Sequence, residues 1–348
     1  MNIYKASKKA TFAIVVFGII FIIALPLFFV VTMSFMSKHE VMSFPLNMFP
    51  RFSYTLKVEK PEKKKPIFYL KSQVGDKYTS LIESYDTSKI HSFFLNELSL
   101  NVPKEKIRKL IDKASTGKAQ TFNEWKNPFF NFQMFFLVTN GAFAALWMSI
   151  KTVIFTCLIS LIIGSLAGYA FARYFFKGKD IAKVSVLFVR MFPGVSIAIP
   201  MALILVNMGM FDTAFGLSLV YSVGNIALTI WITCSIFLGI PVEFEEAAQV
   251  FGAGKFKTFL KVTLPLTLPG LAASSMYCFL GAWNEVITAL LLTQSHPTFA
   301  VVVYTTIFGS QSNFGFAAAG AILQAIPALI FTFIIKKYIN QMWGEAAV

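Results

Sequence analysis

The sequence predicts an all-α membrane protein with six transmembrane helices and an external insertion between the first and second helices. Three observations support this fold class. The 348-residue chain is 56% hydrophobic and 14% charged, with a mean hydropathy of +0.66, whereas soluble domains are about a quarter charged. Several apolar runs exceed the roughly 20 residues that cross the bilayer hydrocarbon as a helix. The loops that join these runs alternate between basic and free of basic residues.

The first apolar run extends from Thr11 to Met36 and follows Lys5, Lys8 and Lys9. A secretory signal peptide has a shorter apolar region and a small-residue cleavage site. We therefore interpret this run as a retained first span at about residues 11–36. The remaining spans are predicted at about residues 148–172, 184–206, 216–240, 266–293 and 316–335.

The charge of the loops predicts the orientation of the chain. The basic loops carry Lys5, Lys8 and Lys9; Arg173, Lys177, Lys179 and Lys183; Lys255, Lys257 and Lys261; and Lys336 and Lys337. The short loops near 207–215 and 294–315 contain no Lys or Arg. Because basic loops stay in the cytoplasm, we expect both termini inside a plasma or inner membrane. This orientation explains the net charge of +14 better than nucleic-acid binding does.

Residues 37–135 are predicted to lie outside the cell although they are rich in lysine, because long loops translocate largely regardless of charge. A helix is predicted from Pro103 to Lys113, where Ile107, Leu110 and Ile111 recur at helical spacing. We interpret the segment as a small folded domain, with a loosely ordered loop as the alternative.

The apolar stretch from Phe129 to Trp147 is interpreted as an interfacial or protein-covered helix and not as a seventh span. Asn131, Gln133 and the Asn140-Gly141 break interrupt it, and a further crossing would invert the charge pattern. The chain is thus divided into residues 1–36, the tail and first span; 37–135, the external segment; and 136–348, a core with five spans.

The cytoplasmic loop 241–265 has the pattern of a helix, a turn and a second helix. Pro241 suits the first position of a helix. Three carboxylates follow, where they complement the helix dipole: Glu243, Glu245 and Glu246. Gly252 and Gly254 flank the predicted break.

Beyond this break, Lys255 to Val262 is predicted to be helical, with Phe256, Phe259 and Leu260 at helical spacing. Pro265 marks the entry to the fifth span. The first short helix carries an apolar patch of Ala247, Val250 and Phe251. Such a patch facing the cytoplasm is typical of a docking surface, and the alternative is an amphipathic loop that packs on its own helix bundle.

The same loop resembles the EAA loop of ABC-importer permeases. That family has Glu-Ala-Ala, a Gly six residues after the Glu, and Ile-x-Leu-Pro after nine further residues. The matching residues are Glu246, Ala247, Ala248, Gly252, Val262, Leu264 and Pro265, with Val in place of Ile.

Three other runs extend the resemblance to permeases of carbohydrate importers, and in particular to the six-span subunit of maltose importers. These runs are Tyr169–Arg173, Met191–Pro193 and Trp283–Glu285. The similarity covers about residues 145–338. It does not cover the external segment near 51–120 or the ending at 341–348, which departs from the family pattern.

The resemblance implies a type I ABC importer permease that imports a sugar or oligosaccharide. The implied partners are two ATPase subunits, a second homologous permease, an extracytoplasmic solute-binding protein and membrane lipid, with no nucleic acid. The ATPase-docking residues would be Glu246, Ala247, Ala248, Val250, Phe251, Gly252, Gly254 and Pro265. Alternatives are an importer of another solute such as glycerol phosphate, an ion-coupled secondary transporter that uses Glu285, and a membrane scaffold or sensor.

Polar residues within the predicted spans are candidates for the translocation pathway, because charged side chains in a membrane usually face the bundle interior. These candidates are Arg190, Trp283, Asn284 and Glu285. Trp283 could stack on a sugar ring, and an Arg190–Glu285 pair is possible but has no support from spacing. The alternative is that these side chains make structural contacts between helices.

The residues provide no catalytic or cofactor site. The run Gly252 to Lys255 fails the spacing of a phosphate-binding loop, because Gln249 and Phe256 stand where Gly and Ser or Thr are required. The histidines and cysteines do not form ligand or nucleophile patterns: His39, His91 and His296 lie outside the spans, and Cys157, Cys234 and Cys278 lie within them. We therefore expect no enzyme activity, metal or cofactor in this chain, with ATP and Mg²⁺ bound by the partner ATPase.

Overall fold

The computed structural model of the chain describes residues 2–43, 48–61, 64–72, 77–116, 119–139, 141–308 and 313–344. Lys63, Asn140 and residues 345–348, on which parts of the sequence interpretation rest, lie outside the described residues. Contacts divide the chain into two compact units: Met1–Asn140 with Thr306–Ile322, and Gly141–Thr305 with Leu323–Val348.

The first unit combines a long apolar helix with a small sheet. Its helices are α1 (Asn2–Ser34), α2 (Lys38–Met42), α3 (Thr87–Leu98), α4 (Lys104–Ala114) and α5 (Phe130–Val138). Its strands are β1 (Ser53–Glu59), β2 (Ile67–Lys71), β3 (Tyr78–Glu83) and β4 (Gln120–Trp125). They form an antiparallel sheet in the order β3-β2-β1-β4. We call residues 37–135 the insertion; its sheet adds to the otherwise helical fold that the sequence predicts.

Alternation along β1 explains how the sheet acquires a core. Successive strand residues point to opposite faces, and Tyr54, Leu56 and Val58 are buried on one face. The helix predicted near Pro103 is confirmed as α4, which buries Ile107 and Ile111 in the same core. The insertion therefore has its own apolar centre.

A buried ion pair links distant parts of the insertion. Lys126 Nζ lies 2.6 Å from Glu40 Oε2, and both side chains are at most 3% exposed. The Glu40 carboxylate also accepts hydrogen bonds from the backbone N–H groups of Ser37 and Arg51. The hydroxyl groups of Ser37 and Tyr54 lie 2.7 Å apart. Burial lowers the pKa of Lys126, while the adjacent Glu40 carboxylate acts in the opposite direction.

The end of α1 is held by α5. The buried Asn131 amide donates to the carbonyl oxygens of Ser34 and Met36, at 2.8 Å and 2.7 Å. At the start of the last helix, Gly315 lies close against α5. A Cβ at this position would be only 2.8 Å from Asn131 Nδ2. These contacts are why α5 and residues 306–322 join the first unit, in contrast to the predicted boundary between 135 and 136.

The described residues of the second unit form helices joined by turns and loops, with no strand. Its helices are α6 (Ala142–Arg173), α7 (Lys179–Met191), α8 (Gly194–Asn207), α9 (Ala214–Gly239), α10 (Glu243–Val250), α11 (Lys255–Thr258), a π-helical turn (Phe259–Thr263), α12 (Leu264–Leu266), α13 (Leu268–Trp283) and α14 (Ile287–Leu292). Two further helices, α15 (Phe299–Phe308) and α16 (Phe314–Gly344), have residues in both units. Four described helices are long and apolar enough to cross a membrane, and the spans number six when each bent pair counts as one.

The third predicted span, 184–206, is not one straight helix. α7 and α8 meet at a bend of 89°. Pro193 has no backbone N–H and disfavours helical geometry at the residue before it. Phe192 accordingly has an extended ψ of 128°. The bend redirects the chain in the middle of the predicted span.

The fifth predicted span, 266–293, is interrupted at both ends. The segment before α13 is bent by 77° relative to it, with the break at Thr267. α13 then stops at Trp283, and α14 resumes at Ile287. The second span also differs from its prediction. α6 already begins at Ala142, so the last residues of the predicted interfacial stretch 129–147 belong to the spanning helix.

Small residues bring α6 and α9 into close contact. A Cβ at Gly164 would lie 2.6 Å from the Cβ of Thr229, and one at Gly168 would lie 2.1 Å from Thr233 Oγ1. Thr233 Oγ1 donates to the Gly164 carbonyl oxygen at 3.1 Å. Close approach of this kind through small residues four positions apart is a common way to pack membrane helices.

Asp212 ties together two loops, one between α8 and α9 and one after α14. Its carboxylate accepts the backbone N–H groups of Gln294, Ser295 and His296 at 2.9, 3.0 and 3.1 Å. Partial burial acts to raise the pKa of Asp212, but these bonds and the His296 ring outweigh it and lower the pKa.

Candidate functional site

The loop 241–265 presents one short helix with a largely exposed surface. α10 begins at Glu243, so Pro241 precedes the helix and does not start it as predicted. The helix ends in a turn at Gly252, whose φ of +86° lies in the region that favours glycine. The predicted break between the two short helices is therefore confirmed, and it depends on Gly252.

The predicted apolar patch is open to solvent in this chain. Val250 is 84% exposed and Phe251 is 91% exposed. The other predicted docking residues are Glu246, Ala247, Gly252, Gly254 and Pro265, all exposed, and Ala248, which is half-buried. Large exposed apolar side chains rimmed by polar residues mark interaction surfaces. The surface of α10 is thus available to a partner.

The opposite side of α10 is anchored by a carboxylate that sequence reasoning assigned only to the helix dipole. Glu245 is 4% exposed. Arg173 Nε donates to Glu245 Oε1 and the Tyr169 hydroxyl donates to Oε2, both at 2.8 Å. Arg173 Nη2 also donates to the Ile240 carbonyl oxygen at 2.9 Å. Arg173 therefore joins the ends of α6 and α9 to α10, and we call Tyr169, Arg173 and Glu245 the anchor.

Aromatic rings surround the anchor. The Tyr169 ring lies 4.7 Å from that of Phe259 and 5.4 Å from that of Phe237, measured between centroids. Phe259 opens the π-helical turn and is buried, whereas Phe256 is 68% exposed and Leu260 is 44% exposed. Of the three apolar residues at helical spacing in 255–262, Phe259 is therefore buried and the other two are exposed.

A sequence signal for the anchor did exist. Tyr169 and Arg173 are four residues apart at the end of a predicted span, so they share one helix face. Prediction of the whole anchor would also require knowing that Glu245, and not Glu246, points towards that face. Periodicity alone does not decide between adjacent carboxylates at the start of a short helix.

A cavity of about 170 Å³ lies among α7, α8, α9, α13 and the start of α14. Its polar lining includes Arg190, Tyr221, Asn225, Glu285 and Thr288. Sequence reasoning selected Arg190 and Glu285, and the fold brings both to this cavity. No ion pair joins them within the part of the chain that the structure describes.

The Glu285 carboxylate has a local structural partner. Its Oε1 accepts the backbone N–H of Thr288 at 2.9 Å, at the start of α14. The Glu285 carbonyl oxygen accepts from the Tyr221 hydroxyl at 3.4 Å. Glu285 thus lines the cavity and supports the helix break at the same time.

The other two pathway candidates lie outside the cavity lining. Trp283 is 2% exposed, donates its Nε1–H to the Gln324 carbonyl oxygen at 2.9 Å, and stacks on Phe279. Its ring face is covered, so this conformation does not offer the predicted surface for a sugar ring. Asn284 caps α13 and is exposed. Of the four candidates, Arg190 and Glu285 are the two that share a cavity.

Most of the second unit matches a known family. The family model described as "Binding-protein-dependent transport system inner membrane component" matches residues 160–343. This range contains α10, the anchor and the cavity lining. The insertion lies before it.

Individual relatives show the same similarity. The chain is 36% identical over 200 residues to the trehalose transport system permease protein SugB of Mycobacterium tuberculosis, covering 56% of this chain and 73% of that protein. It is 32% identical over 185 residues to the trehalose/maltose transport system permease protein MalG of Thermococcus litoralis, covering 52% and 66%. The fold is similar to a chain of a bacterial ABC transporter for the acidic polysaccharide alginate, with a TM-score of 0.54, 18% identity, and coverage of 94% and 95%.

Proposed function

Because the chain belongs to the family of inner membrane components of binding-protein-dependent transport systems, we propose that it is the permease subunit of an ATP-driven importer of a sugar or oligosaccharide. The relatives named for trehalose and maltose transport support this class of solute. The single observation that carries the assignment of role is the exposed surface of α10, which lies inside the matched region and bears the EAA pattern.

In this proposal the loop 241–265 lies in the cytoplasm, as do both termini, because the loops on that side hold the basic residues. A separate ATPase subunit binds ATP and Mg²⁺ and docks on Val250 and Phe251. The permease itself carries out no hydrolysis and needs no cofactor. Two ATPase subunits, a second homologous permease and an extracytoplasmic solute-binding protein complete the importer.

The anchor connects the docking surface on α10 to the membrane-spanning helices α6 and α9. A displacement of α10 acts through Glu245 on Arg173 at the end of α6, and through the Ile240 carbonyl oxygen on the end of α9. These two helices pack closely through Gly164 and Gly168. They would move together, and the cavity beside α9 would then open to alternate sides of the membrane.

The cavity supports a polar solute. Arg190, Asn225 and Glu285 supply donors and acceptors for hydroxyl groups, and Tyr221 adds an aromatic wall. At about 170 Å³ it is small compared with common ligand pockets. This volume suits a constriction on the pathway better than a site that encloses a whole disaccharide.

Co-purification tests the proposed role of α10. In mild detergent, the wild-type chain should bring down an ATPase subunit expressed with it, and Phe251→Asp should abolish this. Phe175→Asp is the matched control, because Phe175 is 95% exposed but lies outside the EAA loop. Wild-type chain without a bound ATPase, or equal loss in both variants, would contradict the proposal.

Reconstitution separates this proposal from ion-coupled transport. Vesicles that contain the permeases, the ATPase and the solute-binding protein should take up sugar when ATP is supplied, and an uncoupler should leave uptake unchanged. If uptake needs no ATPase and collapses with the uncoupler, Glu285 would instead be part of a secondary transporter.

A further inference from the structure

Four aromatic side chains of the insertion are exposed near the point where α1 ends at Ser34. Phe49 is 66% exposed, Phe52 47%, Trp125 78% and Phe129 59%. We call these four residues the aromatic collar. They lie before the region that the family model matches, so neither the EAA loop nor the cavity accounts for them.

Ring contacts place the collar at the level of the helix end. Phe49 meets Phe28 of α1 edge to face, with centroids 6.0 Å apart. Phe129 meets Phe35, the residue after α1, also at 6.0 Å. Phe28 belongs to the apolar span Thr11–Ser34, whose most apolar window has no buried residue in this chain. The collar is therefore continuous with an apolar helix surface that this chain leaves exposed.

The position of Trp125 on the sheet also agrees with a collar at the level of the end of α1. Residues at alternate positions share a sheet face, and the exposed face of β4 carries Thr121, Asn123 and then Trp125. The first two are polar, and the large indole occurs only at the last position, from which the chain continues into α5. Beside it, the Lys126 N–H donates to the Phe52 carbonyl oxygen at 2.8 Å. On the exposed face of β4, the large apolar ring thus stands at the end of the strand that leads into α5.

We propose that the aromatic collar inserts into the headgroup region of the bilayer and seats the insertion on the membrane surface. Trp125 favours this level because its apolar ring and its polar N–H are both satisfied there, and the three phenylalanine rings add apolar area that can reach the boundary with the acyl chains. The alternative occupant is a second protein subunit. Continuity with the unburied side of α1 through Phe28 favours lipid.

Spin labels on β4 test the proposal in the complete transporter. The native cysteines are replaced by serine, and single cysteines are introduced as Trp125→Cys, Asn123→Cys and Thr121→Cys. The side chain of Trp125 points away from the sheet core, so its replacement should leave the insertion folded. Each labelled chain is assembled with its partners in vesicles of phosphatidylethanolamine and phosphatidylglycerol. The collision rates with oxygen, which partitions into lipid, and with a water-soluble nickel chelate are then measured.

We expect the label at position 125 to collide with the nickel chelate several-fold less often, and with oxygen more often, than the label at position 121. Position 123 should give intermediate rates. Equal access of the chelate to positions 121 and 125 would place the collar in water and overturn the proposal. A label at position 125 that neither reagent reaches would show a covering protein subunit and would overturn it as well.

Discussion

At the scale of single residues, burial determines how much stability is lost when an ion pair is broken. Lys126 and Glu40 are 86 residues apart and almost inaccessible, whereas Lys106 and Glu124 form a pair with Lys106 about half exposed. Exposed pairs contribute about 0–1 kcal/mol. Removing one partner of a buried pair leaves an uncompensated charge and costs about 3–5 kcal/mol.

Lys126→Met should therefore lower the free energy of unfolding of the insertion by about 3–5 kcal/mol, because the Glu40 carboxylate stays buried without its cation. Lys106→Met is the matched control and should cost no more than about 1 kcal/mol. Pulse proteolysis of the reconstituted chain in increasing urea measures both. If the two variants lose the same free energy of unfolding, burial does not make the Lys126–Glu40 pair contribute more than the exposed pair.

A double variant isolates the interaction from the loss of each side chain. Glu40→Gln and Lys126→Met together should cost less than the sum of the single changes, since neither then leaves a buried charge unpaired. The sequence contains no signal for this pair: Lys126 is one of many lysines in the insertion, and charge counting assigned all of them to a translocated loop.

At the scale of secondary-structure elements, the contact between α6 and α9 depends on the absence of side chains. Gly164→Ala would place a Cβ 2.6 Å from the Thr229 Cβ, an atom that side-chain rotation does not move away. The helices must separate, at a cost of about 1–3 kcal/mol. Gly239→Ala on α9 is the control, because no atom lies within 4 Å of its new Cβ. We expect a lower midpoint of thermal unfolding of the purified transporter for Gly164→Ala alone, and an unchanged midpoint would contradict the packing role.

The loop that contains Asp212 should respond to acid. Because hydrogen bonds lower its pKa in the folded chain, the tether contributes stability that is complete above the unfolded pKa of about 3.9. This contribution is lost as the pH falls through the lower folded value. Hydrogen exchange of the N–H groups of Gln294, Ser295 and His296, corrected for intrinsic rates, should therefore lose protection only below about pH 4.

Asp212→Asn provides the comparison for the acid response. Its neutral amide cannot accept all of these bonds as a charged carboxylate does, so protection should already be low at neutral pH and should change little on acidification. Protection that is the same in both chains at every pH would rule out Asp212 as the tether.

Breaks in the spans were harder to predict than the spans. Hydropathy located the third and fifth spans because their apolar content is high over the whole length. Pro193 lies within the third predicted span, but a proline and the residue before it do not by themselves specify a bend of 89°. That angle depends on packing, including Gly194, where a Cβ would lie 3.0 Å from Thr288 Oγ1. A property that depends on a residue about 90 positions away does not appear in local sequence.

At the scale of the whole molecule, features that depend on local sequence could be predicted, and features that depend on contacts between distant residues could not. The number of spans follows from apolar runs, and the exposed apolar surface at the end of α10 follows from the predicted apolar patch. The cavity needed tertiary structure, because it brings Arg190 of α7 together with Glu285 of the break between α13 and α14 and excludes Trp283 from its lining. The sheet of the insertion has a readable alternation at Tyr54, Leu56 and Val58, but apolar content and charge alone did not reveal it.

The anchor makes a prediction about the coupling between the two ends of the permease. Glu245→Gln removes the charge that holds Arg173 while leaving Val250 and Phe251 exposed for docking. The ATPase should therefore still co-purify and still hydrolyse ATP, but a smaller part of its movement should be transmitted to the spans. The number of sugar molecules taken up per ATP hydrolysed should fall in reconstituted vesicles.

Two further variants show whether this loss reflects coupling or merely instability. Glu243→Gln changes an exposed carboxylate on the same helix and should keep the wild-type ratio. Exchange of the charges, Arg173→Glu with Glu245→Arg, should recover part of the ratio because the ion pair can form in reverse. A simple loss of stability lowers the amount of active complex but not the uptake per ATP. If Glu245→Gln keeps the wild-type ratio, or if it releases the ATPase, the anchor is a structural contact and the movement reaches α6 and α9 by another path.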